Sequence, residues 1–258
     1  MAPRPVVLVT GAGRRLGREI ALTLGRAGWR VAVHYHRSAD EAQAVVAQLS
    51  ETGAEAHAFC ADLADEAATR ALLPAVVQHF GNVQAVVNNA SLFEYDSISD
   101  FSYAAMDRHW RANTAPAIVL AQALHAHVHP RGGQGCVVNL LDQKLWNLNP
   151  DYFSYTLSKA ALETATRMLA MALAPAVRVC GVAPGLVLGS EFIDPDKLAA
   201  LHAGTLLGHG AQPADVAAAV QYLLQAAAVT GHTLLVDGGQ HLQAAGRDFA
   251  FLPTPTKG

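Results

Sequence analysis

The sequence predicts an α/β chain, a Rossmann-like doubly wound parallel sheet of seven strands with helices on both faces. Short Val-rich runs alternate with longer Ala- and Leu-rich segments of helical periodicity along nearly the whole chain, and strand-helix-strand alternation is the mark of a parallel sheet. The short runs are continuously apolar rather than alternating, as strands covered on both faces must be. The first of them leads straight into a glycine-rich turn and then a helix.

The strand runs are VVLVT (6–10), WRVAVHY (29–35), AEAHAFCA (54–61), QAVVN (84–88), GCVVNLL (135–141), AVRVCGV (176–182) and HTLLVD (232–237). Helices are expected at about 15–28, 39–52, 65–80, 103–129, 153–174 and 213–227. The Gly- and Leu-rich piece 184–212 reads as an irregular, mobile substrate loop. A chain of 258 residues suits one large domain, here 1–242. The tail, 243–258, is expected to be disordered or docked on a neighbouring subunit.

The chain is 52% hydrophobic and 15% charged, with a net charge of −3. Charge is sparse for a globular domain, which points to surface hidden between subunits. No run of Lys or Arg offers a footprint for nucleic acid or an anionic membrane. Cys60, Cys136 and Cys180 lie too far apart for a metal site and read as reduced thiols. The first apolar run, 5–10, is too short for a secretory leader, and no stretch reaches the ~20 residues of a membrane span. A cytoplasmic protein is expected.

Thr10-Gly11-Ala12-Gly13-Arg14-Arg15-Leu16-Gly17 joins the first strand to a helix. Such a turn lets backbone approach a pyrophosphate, whose charge the helix N-terminus meets; it also fits an ordinary strand-to-helix turn. The second strand ends in His34-Tyr35-His36-Arg37-Ser38 without a carboxylate before Asp40. An acidic residue there would bind the adenosine ribose, whereas Arg beside a hydroxyl accommodates a 2′-phosphate. NADPH is therefore favoured over NADH, clamped by Arg37, Ser38 and either Arg14 or Arg15.

Tyr155 and Lys159 lie four apart in a predicted helix, and so on one face. An ammonium beside a phenol favours the phenolate, lowering a Tyr pKa from about 10. The chain has only four lysines against 14 arginines, so the pairing stands out from a solvated helix face.

Thr10-Gly11 to Gly17, Asp62-Leu63, Asn88-Asn89-Ala90, Asn113, Tyr155-x-x-x-Lys159, Pro184-Gly185 and Val236-Asp237-Gly238-Gly239 together resemble the ordered signature of the short-chain dehydrogenase/reductases, over about 5–242. The resemblance implies that Gly11, Leu16, Gly17, His36, Asn89, Ala90, Ser91, Pro184 and Gly185 line the cofactor, with Asp62 and Leu63 near the adenine. Lys159 would hold the nicotinamide ribose, Tyr155 would donate the proton and Asn113 would organise a water relay. A homotetramer is also implied.

One position departs from the family. Its usual Ser, thirteen residues before the catalytic Tyr, is Asp142 here. A carboxylate would repel a developing alkoxide, but an acid could protonate a ring nitrogen. Arg15, the His34–Ser38 stretch, Ser91 and Asp142 are similar to the pteridine and dihydromonapterin reductases. That likeness implies a substrate site of Ser91, Phe93, Asp142, Tyr155 and Leu188, with Phe93 stacking a flat heterocycle. It implies hydride transfer from NADPH to C6 of a 7,8-dihydropterin with protonation at N5. The alternatives are a reductase of another carbonyl or imine, or a silent NADP-binding sensor.

Trp146 and Tyr152 are read as pocket-shaping or packing residues, and Leu186, Leu188 and Phe192 as an apolar wall. His125, His127 and His129 read as a helix end next to Pro130, complementing the dipole. No metal is expected.

Overall fold

The structure is a computed structural model and describes residues 4–253. Seven parallel strands form one sheet in the order β3-β2-β1-β4-β5-β6-β7. They are β1 (Val6–Val9), β2 (Arg30–Tyr35), β3 (Ala56–Cys60), β4 (Ala85–Asn88), β5 (Gly135–Leu140), β6 (Val177–Pro184) and β7 (Thr233–Val236). Each falls within or across a run read from the sequence.

In β1, Val7 and Val9 enter the core beneath α1 (Arg15–Arg26), α2 (Ala39–Glu51) and α8 (Pro213–Gln225). Val6 and Leu8 point the other way, under α3 (Glu66–Phe80) and the helices that follow β4. A strand buried on both faces has no polar side, which is why its sequence does not alternate.

The predicted helix at 103–129 is broken into α4 (Tyr103–His109), a π-helical turn Trp110–Thr114, and α5 (Ala115–Val128). The turn places Asn113 and Thr114 inward, both buried; π turns are frequent where a function needs a displaced side chain. The catalytic-helix candidate is α6 (Phe153–Ala172).

Two expectations are corrected. The loop 184–212 contains a helix, α7 (Pro195–Ala203), started by Asp194, whose side chain accepts the Lys197 N–H at 2.8 Å. Asp followed by Pro is a sound helix start, masked in the sequence by the surrounding Gly and Leu. Over its described part the tail is ordered, because 245–251 fold back across their own chain. Asn147 Nδ2 donates to Gln243 O at 2.7 Å, and Arg247 and Asp248 bind Asp151. Residues 254–258 lie outside the described residues.

Candidate active site

The sheet order reverses between β1 and β4, and open α/β sheets bind ligands at the carboxyl ends of strands at that point. The glycine turn lies there. Thr10 Oγ1 accepts the N–H groups of Asn89 and Ala90 at 2.9 and 3.0 Å, and Asn89 Nδ2 donates to Thr10 O at 2.9 Å. The turn after β1 is thus stitched to the end of β4. A Cβ on Gly17 would lie 2.2 Å from Gly11 O and 2.5 Å from Asn89 Nδ2, so only glycine fits. Gly11, at φ 62°, is in the left-handed region glycine tolerates.

Helix α1 starts with no side-chain cap and no acidic residue in its first turn. Its first N–H groups therefore have no carboxylate of their own and suit an external anion. From below, Gly11 N–H donates to His34 Nδ1 at 3.0 Å, and His34 Nε2 meets Ala61 O at 3.1 Å. That arrangement needs the neutral Nε2–H tautomer, and burial above all pushes the His34 pKa down to about 4.

The two arginines of the turn face opposite ways. Arg14 lies 3.6 Å from Glu41 on α2, beside the Ser38 end, and Gly13 brings backbone close to Ser38 Oγ. Arg15 turns toward the 184–212 loop and donates from Nη2 to Gly189 O at 2.9 Å. Its φ of 51° explains why the family has glycine there; a non-glycine in this region costs roughly 1–2 kcal/mol. Arg37 and His36 are exposed on the same rim as Asp62, with His36 Nε2 3.8 Å from the Asp62 carboxylate. Leu63 packs into the core beside α3.

At the ends of β4 and β5 the second cluster forms. Tyr155 Oη donates to Asp142 Oδ2 at 2.8 Å, and Lys144 N–H donates to Asp142 Oδ1 at 2.8 Å. Lys159 Nζ donates to Leu140 O at 2.8 Å and lies 5.8 Å from the Tyr155 ring centre. Asn113 accepts Leu92 N–H at 2.6 Å and Ser91 Oγ–H at 3.2 Å, and donates to Leu92 O and Ser158 Oγ. Ser158 Oγ in turn donates to Tyr155 O at 2.7 Å. Asn113 therefore ties the 91–92 turn to the helix that carries Tyr155 and Lys159.

Electrostatics reverse one expectation. Burial pushes the Tyr155 phenol well above its usual value, and the neighbouring Asp142 charge and hydrogen bond push it further. The phenolate is disfavoured, because a carboxylate is nearer to the phenol than the ammonium is. Burial also raises Asp142 above the carboxylate range, against the opposing Lys144 N–H, Tyr155 and Lys159. Lys159 falls to about 8, again by burial, with Asp142 pulling the other way. Asp142 and Tyr155, joined by that hydrogen bond, are each pushed toward their protonated forms, and so close a pair titrates as a unit.

These groups open on a cavity of about 290 Å³ lined by Arg15, Phe93, Asp142, Tyr155, Pro184, Gly185 and Leu188. Phe93 meets Tyr155 edge-on at 4.6 Å and stacks on Tyr152 at 4.1 Å and 17°. The slot is flat and aromatic on one side and acidic on the other.

Tyr152, read from the sequence as pocket-shaping or packing, lines the cavity and is held at φ 53°. Other contributors escaped the sequence reading: Asp96, buried, accepts Ser154 N–H at 2.9 Å and so holds the start of α6. Gln143 lines the cavity, and its buried Oε1 is without a partner. Lys144, one of only four lysines and two residues after the anomalous Asp142, carried a signal that scarcity alone could have flagged. His125 and His129 stack at 4.9 Å, while His127 is buried against Asn82. No group of three metal-ligating side chains occurs among the described residues, nor a helix long and apolar enough to cross a membrane.

A family model described as enoyl-(acyl carrier protein) reductase matches residues 11–241. Versicolorin reductase 1 of Aspergillus parasiticus is 32% identical over 91% of this chain and 95% of its own. The short chain dehydrogenase/reductase nsrJ of Aspergillus novofumigatus is 31% identical over 91% and 94%. Among solved structures, FolM alternative dihydrofolate reductase 1 of Brucella canis, complexed with NADP, superposes with a TM-score of 0.90 at 37% identity, over 95% of this chain and 97% of that one. With its seven parallel strands and its glycine turn at the switch point, the chain belongs to the short-chain dehydrogenase/reductase family.

Proposed function

We propose that the chain is an NADPH-dependent pterin reductase that takes a 7,8-dihydropterin to the tetrahydro form. The observation that carries this reading is the buried Asp142, 2.8 Å from the Tyr155 hydroxyl, beneath the aromatic slot of Phe93. A carboxyl held above its usual range can give a proton to a ring nitrogen, which the family's serine could not do from its own pKa. The NADP-bound FolM structure, itself titled a dihydrofolate reductase, supports the same reading.

The residues present fit the cofactor. The Gly11–Gly17 cradle and the uncapped start of α1 suit the pyrophosphate, while Arg14, Arg37 and Ser38, with His36 beside them, suit a 2′-phosphate. Asn89, Ala90 and Ser91 form the wall at β4, Pro184 and Gly185 the wall at β6, Asp62 and Leu63 the adenine end, and Lys159 takes the ribose. When bound, NADPH supplies the hydride that C6 of the C6=N5 bond receives. Phe93 and Leu188 hold the ring flat, Ser91 and Arg15 orient its polar edge, and Asp142 gives the proton that N5 takes up. Tyr155 reprotonates Asp142, and Lys159 and Asn113 keep Tyr155 supplied with protons.

NADPH oxidation measured with dihydrobiopterin and dihydromonapterin beside a ketone panel tests this. Turnover of the pterins is expected, and turnover of ketones alone would replace the reading with a carbonyl reductase, as the versicolorin reductase relative suggests. Cofactor binding without any turnover would favour the sensor.

Replacing Arg37 with Ala removes one charge-assisted phosphate contact. The NADPH-over-NADH preference in kcat/KM should fall roughly tenfold, since such contacts are worth about 1.5–3 kcal/mol. An unchanged preference would remove Arg37 from the clamp.

A cytoplasmic homotetramer is part of the same proposal. Met168 and Met171, exposed on α6, are apolar surface of the kind an interface covers.

A further inference from the structure

We propose that the chain's own C-terminal segment, 245–251, is a wall of the substrate cavity and limits which substituents the ring site admits, held in place by a relay of charges from Arg247 through Asp151 and Lys144 to Asp248. The proposal rests on the reductase reading only for the identity of the substrate.

The segment is part of the cavity by position. Ala245, Arg247, Asp248, Phe249 and Ala250 line the same space as Phe93, Asp142 and Tyr155. Gln143, which also lines the cavity, has a buried Oε1 with no hydrogen-bond partner among the described residues. As a buried acceptor it can take a donor from a ligand that reaches the wall.

The attachment is specific. Arg247 donates from Nε and Nη2 to the two oxygens of Asp151 at 2.8 and 2.9 Å, and the Asp248 N–H adds a third bond at 2.8 Å. Lys144 Nζ donates to Asp151 O at 2.6 Å and to Asp248 Oδ2 at 3.1 Å. Lys144 is 3% exposed, and a buried ammonium stripped of its carboxylate is strongly destabilised. Asp248 is the only carboxylate paired with Lys144 among the described residues, so the segment neutralises a charge its own chain has buried beside the cavity.

Two further contacts link the wall to the aromatic slot and to the 184–212 loop. Phe251 stacks on Tyr152 at 6.1 Å, and Tyr152 stacks on Phe93. Lys197 Nζ, on α7, donates to Ala250 O at 2.8 Å. The segment thus buttresses the aromatic floor and ties the substrate loop to it.

The test separates position from function. In a Cys60→Ser background, which removes the exposed native thiol, oxidation of the Asn147→Cys/Ala245→Cys double variant, at a pair whose Ala245 N–H and Asn147 Oδ1 lie 3.4 Å apart, should give a cross-link within one chain on a denaturing gel; a dimeric band would overturn the proposal. Asp248→Asn and Arg247→Ala should each speed hydrogen exchange across 245–251. They should raise KM for the preferred substrate about tenfold, with NADPH affinity unchanged, a loss of about 1.4 kcal/mol. The kcat/KM for a dihydropterin with a bulky C6 arm should rise relative to one with a methyl group.

Restoring the wall covalently, by oxidising the cysteine pair in the Asp248→Asn background, should bring KM back. Faster exchange with unchanged KM and unchanged substituent preference would overturn the proposal, as would exchange that does not change. If Asp248→Asn fails to fold, Arg247→Ala, at a half-exposed side chain, carries the same measurements. If the enzyme reduces ketones and no pterin, KM is read on the ketone, so failure of the pterin reading and failure of the wall are distinct results.

Discussion

Asp142→Ser lowers kcat for dihydropterin reduction by about 10²–10⁴, the range a positioned general acid contributes, while NADPH affinity stays near that of the parent. The serine restores the family's hydrogen-bond donor, so turnover of a simple ketone should appear or rise in the same variant. Single-turnover measurement of both substrates checks this, and unchanged pterin kinetics would take Asp142 out of the mechanism. The pH dependence has a defined sign. Burial raises the Asp142 pKa, so its proton is retained above the ordinary carboxylate range and lost as the pH rises through the folded value. Lys159, lowered to about 8, is charged below that pH and loses its charge above it. Both changes act in one direction, and kcat should fall as the pH rises past about 8. In Asp142→Asn the residual rate should retain only the Lys159 limb.

Gly17→Ala weakens NADPH binding by about a hundredfold or more and lowers stability by about 1–3 kcal/mol, the cost of forcing a methyl into filled space. The new Cβ would lie 2.2 Å from the Gly11 carbonyl oxygen, which is backbone, and 2.5 Å from Asn89 Nδ2, a side-chain end fixed by its bonds to Thr10 O and Gly11 O. Relief requires the turn to move away from Asn89, and that movement breaks the bonds of Asn89 to Thr10 and Gly11. Thermal melting with and without NADPH measures both effects. The Tm should fall by several degrees, at about 2–4 °C per kcal/mol for a chain of this size, and added NADPH should recover little of it because ligand stabilisation scales with affinity. A melt and a titration like those of the parent would show that the turn has slack that the structure does not show.

Most of the sheet was legible because strands buried on both faces must be apolar throughout, and Val6 to Val9 could hardly be anything else. The glycine turn was legible because close backbone approach leaves few residue choices. Asp142 announced itself by standing where the family has serine. What remained illegible depends on contacts between distant segments. The break at Trp110–Thr114 seats Asn113 and Thr114 on Ser158 of α6, contacts between segments 44 and 45 residues apart, and α7 was hidden by its Gly- and Leu-rich setting despite the Asp194-Pro195 start. The Tyr155 pKa was read in the wrong direction. Sequence spacing places Lys159 one turn away but says nothing of the 2.8 Å approach of Asp142 or of how deeply the phenol is buried.

The sequence by itself determined the seven-stranded parallel sheet, the glycine-rich turn and the residues gathered at its carboxyl edge, since these depend on local periodicity and on positions where one residue type fits. Only the tertiary structure decided that the Tyr155 hydroxyl donates to a buried Asp142, that Arg14 and Arg15 face opposite sites, and that 245–251 lie against Lys144 and Asp151. Burial and separation in space set the strength of a charge or a hydrogen bond, and both depend on segments up to 104 residues apart in the chain.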